Sequence, residues 1–167
     1  MQDFDSLLAI CEYAISEAIA VTSGKDATLK YFSMPKPAFL AEIEMPVPPR
    51  VTAPLAPDKK NLLYVGDLDQ RKNLSRVVEA LAQLPERLRN DIRLVITGYA
   101  MATELNMLIH ALIVAGLQND NLVLYSFASD REIIGLFKTT VVLIQPPVLA
   151  GFGLIALEGT LSVNSSI

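Results

Sequence analysis

Two stretches of this sequence carry residues able to do chemistry. The first is "GDLDQRKN", Gly66 to Asn73, which lies between an apolar run and a helix-patterned one. Gly66 permits a tight turn and close backbone approach. Asn73 can cap the helix that follows, whose free N–H groups and positive dipole end favour an anion. Arg71 and Lys72 would add charge-assisted hydrogen bonds to phosphate oxygens. The second stretch is "QPPVLAGFGLIALEG", Gln145 to Gly159, in which Gly151 and Gly153 open another helix and Glu158 follows within it. An ionised carboxylate has lone pairs enough to accept from both hydroxyls of a ribose. Two helix starts aimed into one crevice could hold a diphosphate. Taken singly, each loop reads more plainly as structure: a capped helix with solvated basic residues, and a glycine turn with a surface glutamate. Taken together at one sheet edge, the two readings balance.

Other candidates are weaker. Asp67 and Asp69, without histidines or further carboxylates beside them, read as turn residues rather than metal ligands. His110, in "MLIHALIV", reads as a half-buried core histidine rather than a catalytic base. Asp130 after Ser129 reads as first-turn helix chemistry. Cys11 is the only cysteine, so no intrachain disulfide can form. A small core residue in a reducing compartment is its default reading. Neither G-x-G-x-x-G nor G-x-x-x-x-G-K-[ST] occurs, so no dinucleotide fingerprint and no P-loop is signalled.

These loops need elements to hold them. Apolar strands are expected at 61–66, 92–98, 121–127 and 141–145, each followed by a helical pattern, at 74–88, 103–116, 129–139 and from 153 onward. Strands apolar on both faces that alternate with helices mean a parallel sheet covered on both sides. With right-handed crossovers, the fold class is a Rossmann-like α/β domain. In such sheets ligands gather at the carboxyl ends of the strands, where the strand order reverses. Ahead of this pattern, "FDSLLAICEYAISEAIAV" has helix-compatible spacing, "DATLKYF" reads as a short helix, and "FLAEIEM" alternates like a strand. Five prolines between Pro46 and Pro57 favour extended chain and mark a linker.

Composition narrows the function classes. The chain has 167 residues, 51% of them hydrophobic, with a mean hydropathy of +0.38. That fits either a large core or apolar faces that expect a partner. A net charge of −4 and a pI near 5.0 argue against nucleic acid as a partner. Residues 139–157 hold one charge-free run apart from their flanks, but Pro146, Pro147, Gly151 and Gly153 break it, so no transmembrane segment is expected. Asp3 and Asp5 stand where a signal peptide would be basic.

The segments "LLYVGDLDQRKNLSRVVEAL", "RLVITG", "NLVLYSFASDREI" and "PPVLAGFGLIALEG" resemble, in order and spacing, the nucleotide-binding half of retaining GT-B glycosyltransferases. The similarity is strongest to the family-4 group of hexosyltransferases and covers about residues 60 to 160. It implies transfer of a hexose from a nucleotide diphosphate sugar to a glycan or lipid-linked acceptor. It implies that Lys72 and Arg71 face the diphosphate beside Gly66, that Gly151, Phe152, Gly153 and Leu154 present backbone N–H groups, and that Glu158 holds the ribose. Such enzymes usually need no metal or other cofactor. Three positions depart from the pattern. Ala150 stands where an acidic residue contacts the transferred sugar, Asp67 where many members carry an arginine, and Ser126 where a glycine is usual. Residues 1–57 resemble the tail of an acceptor-side domain with its linker, and 58–167 an incomplete donor domain. A complete transferase is therefore not expected of this chain, which would at most bind the nucleotide and would need the acceptor domain or another subunit. The rival expectation is a non-catalytic module that pairs with itself as a homodimer. The location implied is cytoplasmic, or peripheral at the inner face of a membrane.

Overall fold

Runs such as "LLYV" and "LVI", apolar at every position, are stable with both faces covered, and that is how the chain folds. The computed structural model describes residues 7–9, 27–29, 37–55, 58–117, 119–148 and 153–163. β1 (Leu7–Ala9) and β2 (Ala27–Leu29) pair in parallel, with Leu7 opposite Ala27. Helices α1 (Pro37–Glu42) and α2 (Pro49–Thr52) follow. Then come β3 (Lys60–Val65), α3 (Leu74–Ala82), α4 (Glu86–Asn90), β4 (Ile92–Thr97) and α5 (Ala102–Val114). The last elements are β5 (Leu122–Tyr125), α6 (Asp130–Lys138), β6 (Val142–Leu143) and α7 (Leu154–Val163).

β3 to β6 form a four-stranded, all-parallel sheet in the order β5-β4-β3-β6. Alternate residues of β3 feed two cores, as the period of two requires. Tyr64 joins Leu94 and Ile96 beneath α3 and α5, packed on Val77, Val78, Leu108 and Leu112. Leu63 and Val65 join Val95 on the opposite face, with Ile134, Leu136 and Phe137 of α6. The expected Rossmann-like fold class is what the chain adopts.

Several local expectations give way. Leu7–Ala9 and Ala27–Leu29 are strands, not helix. The "FLAEIEM" segment is helical through Glu42 because Phe39 and Ile43, four apart, both go into the core, which outweighs the alternation. The helix read over 74–88 breaks into α3 and α4 at Pro85, whose ring excludes a continuing turn. The proline-rich stretch is not an open linker through Leu55. Pro49 starts α2, whose Val51 is fully buried, and Tyr125 donates its hydroxyl to the Val51 carbonyl at 2.8 Å. Gly135 of α6 makes room for it, since a Cβ there would meet Val47 Cγ1 at 3.0 Å and Pro48 Cδ at 3.1 Å. Arg50 pairs with Glu132 at 2.8 Å, and Lys138 donates to the Ile43 and Met45 carbonyls.

Candidate functional site

The chain runs β3, β4, β5 outward in one direction, then crosses back to lay β6 on the other side of β3. The order therefore reverses between β3 and β6, and a crevice opens beyond their carboxyl ends at such a point. The two stretches singled out in the sequence are the loops at these two ends. Three hydrogen bonds join them. Gln145 Nε2 donates to the Val65 carbonyl at 2.9 Å, Asn73 Nδ2 to the Pro146 carbonyl at 3.0 Å, and the Val148 amide to the Arg71 carbonyl at 3.0 Å.

Inside the first loop, Asp69 caps a 3-10 turn, Gln70–Lys72, by accepting from the Lys72 amide at 3.2 Å. Arg71 reaches back to Asp69 at 2.9 Å. That hydrogen bond chiefly holds the Asp69 carboxyl below the usual carboxylate range, with the Lys72 amide adding to it. Arg71 is thus already engaged, although its side chain is 80% exposed. Lys72 is half-buried, and among the described residues no carboxylate pairs with its ammonium. Asn73 does not cap α3 with its side chain, contrary to expectation. It adopts the left-handed conformation (φ 59°, ψ 33°), which swings its amide across to Pro146.

On the other side of the crevice, Gly153 takes φ 74° immediately before α7, with open space around its Cα. Leu154 begins α7, and the half-buried Glu158 lies in its second turn, its carbonyl accepting from Ser162 Oγ at 2.8 Å. Gly159 seats α7 on the sheet: a Cβ there would come within 2.7 Å of Leu143 Cδ2. Gly151, Phe152 and the departing residue Ala150 lie outside the described residues, as does Cys11.

A cleft of about 260 Å³ lies at the carboxyl ends of β4 and β5 and meets the first of these loops at Leu68. Leu68, Gly98, Tyr99, Leu105, Ser126 and Phe127 are among the residues lining it. Its floor is tight. Gly66 and Gly98 approach so closely that a Cβ on Gly98 would lie 2.1 Å from the Gly66 carbonyl oxygen. Two large aromatic residues at the cleft, Tyr99 and Phe127, are 56% and 74% exposed. Sequence reasoning marked both strand ends but neither ring, because an aromatic residue after a strand has no chemical signature of its own. A second cavity of the same volume lies between α3 and α5, lined in part by Asp69 and Asn73, and none of Gly66, Arg71, Lys72, Gly153, Leu154 and Glu158 is among the lining residues of either cavity.

The remaining candidates take structural places. Ser129 accepts from the Glu132 amide, and Glu132 accepts from the Ser129 amide at 2.8 Å, a capping box at the start of α6. Asp67 and Asp69 are turn residues, as read. His110 is exposed on α5, not half-buried. Among the described residues no three His, Cys, Asp or Glu converge to hold a metal ion, and no helix is long and apolar enough to cross a membrane.

A parallel sheet wrapped by helices, with a crevice at its switch point, defines a Rossmann-like half of the GT-B architecture. Residues 50–161 match the family described as Glycosyl transferases group 1, and the chain belongs to that family. Comparison with curated proteins returns no match. Among solved structures it is similar to WaaG, a glycosyltransferase involved in lipopolysaccharide biosynthesis, at 21% identity and a TM-score of 0.67, covering 93% of this chain and 42% of that one. It is similar to Anabaena HepE in complex with UDP and glucose at 16% identity and a TM-score of 0.68, covering 95% and 42%. Sucrose-phosphate synthase from Thermosynechococcus elongatus matches at 19% identity and a TM-score of 0.68, covering 94% and 38%. The chain thus spans about two-fifths of the length of these structures.

Proposed function

We propose that residues 58–167 are a donor-side unit that binds a nucleotide diphosphate sugar in the crevice between β3 and β6. The observation that carries this is the pair of hydrogen bonds that join the loops after β3 and β6, from Asn73 to the Pro146 carbonyl and from the Val148 amide to the Arg71 carbonyl, with Lys72 between Arg71 and Asn73 and the β4–β5 cleft bordered by Leu68 of the same loop. In this reading the diphosphate lies against Lys72 and the helix starts, and Arg71 exchanges Asp69 for a phosphate oxygen. Gly66 and Gly153 allow close approach, Glu158 takes the ribose hydroxyls, and the base enters the cleft beside Tyr99 and Phe127. The leaving diphosphate is stabilised by these basic side chains and dipoles rather than by a metal ion. Ala150 leaves the sugar one contact poorer. HepE, which shares the fold at 16% identity, is a complex with UDP and glucose, and that class of ligand is the one proposed here.

The parent reaction we infer is retaining transfer of a hexose to a glycan or lipid-linked acceptor, in the cytoplasm or at the inner face of a membrane. Residues 1–57 then derive from the acceptor side, and the acceptor is bound by a further domain or subunit. A thermal-shift screen against UDP, GDP and ADP tests the reading. One nucleotide raising Tm is expected; no shift with any of them counts against it. A second reading, a non-catalytic self-associating module, is favoured by the β6 edge, where Val141 and Val142 are 64% and 47% exposed. Monomeric scattering at high concentration would remove it.

A further inference from the structure

The family resemblance casts Asp67 as a defect, a carboxylate where a phosphate-facing arginine is common. We propose instead that Asp67 is a positioning residue that orders the wall of the β4–β5 cleft, acting on the nucleoside end of a bound nucleotide and not on its diphosphate. The inference rests on the nucleotide reading given above.

Asp67 Oδ1 accepts from the Tyr99 amide at 3.1 Å. The next residue completes the clasp, since the Leu68 amide donates to the Tyr99 carbonyl at 3.1 Å. Tyr99 thus has both main-chain polar groups tied to the β3 loop. The clasp itself is anchored from below, where the Tyr64 hydroxyl donates to the Asp67 carbonyl at 2.9 Å. Tyr64 is buried in the core, so its ring transmits the position of the sheet to the loop. Gly98 allows the strand ends to approach closely enough for this. Any side chain there would strike the Gly66 carbonyl.

What the clasp holds is cleft lining. Leu68, Gly98, Tyr99 and Ala100 all border the β4–β5 cavity. The chain around Tyr99 is irregular, between β4 and α5, and its side chain is 56% exposed. Without the Asp67 bond the Tyr99 amide has no strand neighbour to replace it, and the wall loses one of its two ties. An arginine at position 67 would serve a phosphate but offers no acceptor to that amide. The carboxylate is therefore suited to a different task at the same position.

The two roles separate experimentally, because asparagine keeps the acceptor oxygen and removes the charge. Uridine, guanosine and adenosine, and their diphosphates, are titrated into wild type, Asp67→Ala and Asp67→Asn, and exchange of the Tyr99 amide is followed by NMR. The expected result is that Asp67→Ala weakens nucleoside and diphosphate binding by a similar factor, roughly two- to tenfold for one lost hydrogen bond. Tyr99 exchange should speed up in that variant, and Asp67→Asn should restore both. If both variants instead tighten the diphosphate equally and leave the nucleoside unchanged, Asp67 acts by charge repulsion and the proposal is overturned. Unchanged Tyr99 exchange in Asp67→Ala also overturns it. Should wild type bind no nucleoside and no diphosphate, the nucleotide reading fails, and with it the proposed action on a nucleotide. The exchange data then still decide whether Asp67 orders the loop.

Discussion

Asn73 is the most informative residue to perturb, because two physical effects meet there and two substitutions separate them. Its backbone sits at φ 59°, ψ 33°, the only non-glycine residue with positive φ among the described residues. Its side chain spans the crevice to the Pro146 carbonyl at 3.0 Å. Replacement by alanine removes a half-buried hydrogen bond, worth about 0.5–1.5 kcal/mol. It also forces a Cβ-bearing residue without local polar help into the left-handed region, at about 1–2 kcal/mol. Asn73→Ala should therefore cost roughly 1.5–3.5 kcal/mol. Asn73→Gly loses the same bond but adopts the conformation freely. Its added penalty is the greater freedom of the unfolded chain, about 0.4–1 kcal/mol. Glycine should therefore be the milder change by about 0.5–1 kcal/mol, the reverse of their order in a helix interior. Urea unfolding of the three proteins reads this directly, and at this chain length each kcal/mol appears as about 2–4 °C in Tm. Glycine proving as damaging as alanine or worse would refute the conformational argument. Neither variant changing stability would mean that the loops are not joined as described.

Gly98→Ala should destabilise by about 2–4 kcal/mol, since its Cβ would fall 2.1 Å from the Gly66 carbonyl oxygen between two strand ends; a loss below about 0.5 kcal/mol in the same urea assay would show that the strand ends can part. Val51→Ala should cost about 1–2.5 kcal/mol because Val51 is fully buried beneath α6. No measurable cost would mean that the proline-rich stretch is a loose linker after all. Glu132 has its carboxyl held below the ordinary value, first by the Ser129 amide and further by the Ser129 hydroxyl and Arg50. Its stabilising contribution is therefore present above the unfolded-state value near pH 4.5 and is lost as pH falls through the lower folded value. Glu132→Gln should be less stable at neutral pH yet flatter in a stability profile between about pH 5 and 2, and parallel profiles would contradict this.

How far the sequence discloses these features depends on which force decides each one. β3 and β4 were readable because each holds a run of consecutive apolar residues, Leu62 to Val65 and Leu94 to Ile96, that needs cover on both faces. β6 was readable in existence but not in length. Val142 and Leu143 stand opposite Leu62 and Leu63, the flanking Val141 and Ile144 amides donate to the Asn61 and Leu63 carbonyls, and Pro146 ends the run. Among the described residues before Pro46, short local patterns compete. Phe39 and Ile43 satisfy a helix face while the intervening residues mimic a strand. Lys72 follows β3 and Gly153, Leu154 and Glu158 follow β6, the strand ends after which the alternating pattern put them. The Asn73 tie to Pro146 and the Asp67 tie to Tyr99 join residues 73 and 32 positions apart, and only the strand order brings them together.

The central claim is that the crevice between β3 and β6 holds the phosphates and ribose of a nucleotide diphosphate. Calorimetric titration of UDP, GDP and ADP into wild type, Lys72→Ala and Glu158→Ala tests it most directly. Saturable binding of one nucleotide to the wild-type chain is expected, weakened about tenfold or more in each variant as a charge-assisted contact is lost. Binding that is equal in all three proteins, or absent from wild type, would contradict it.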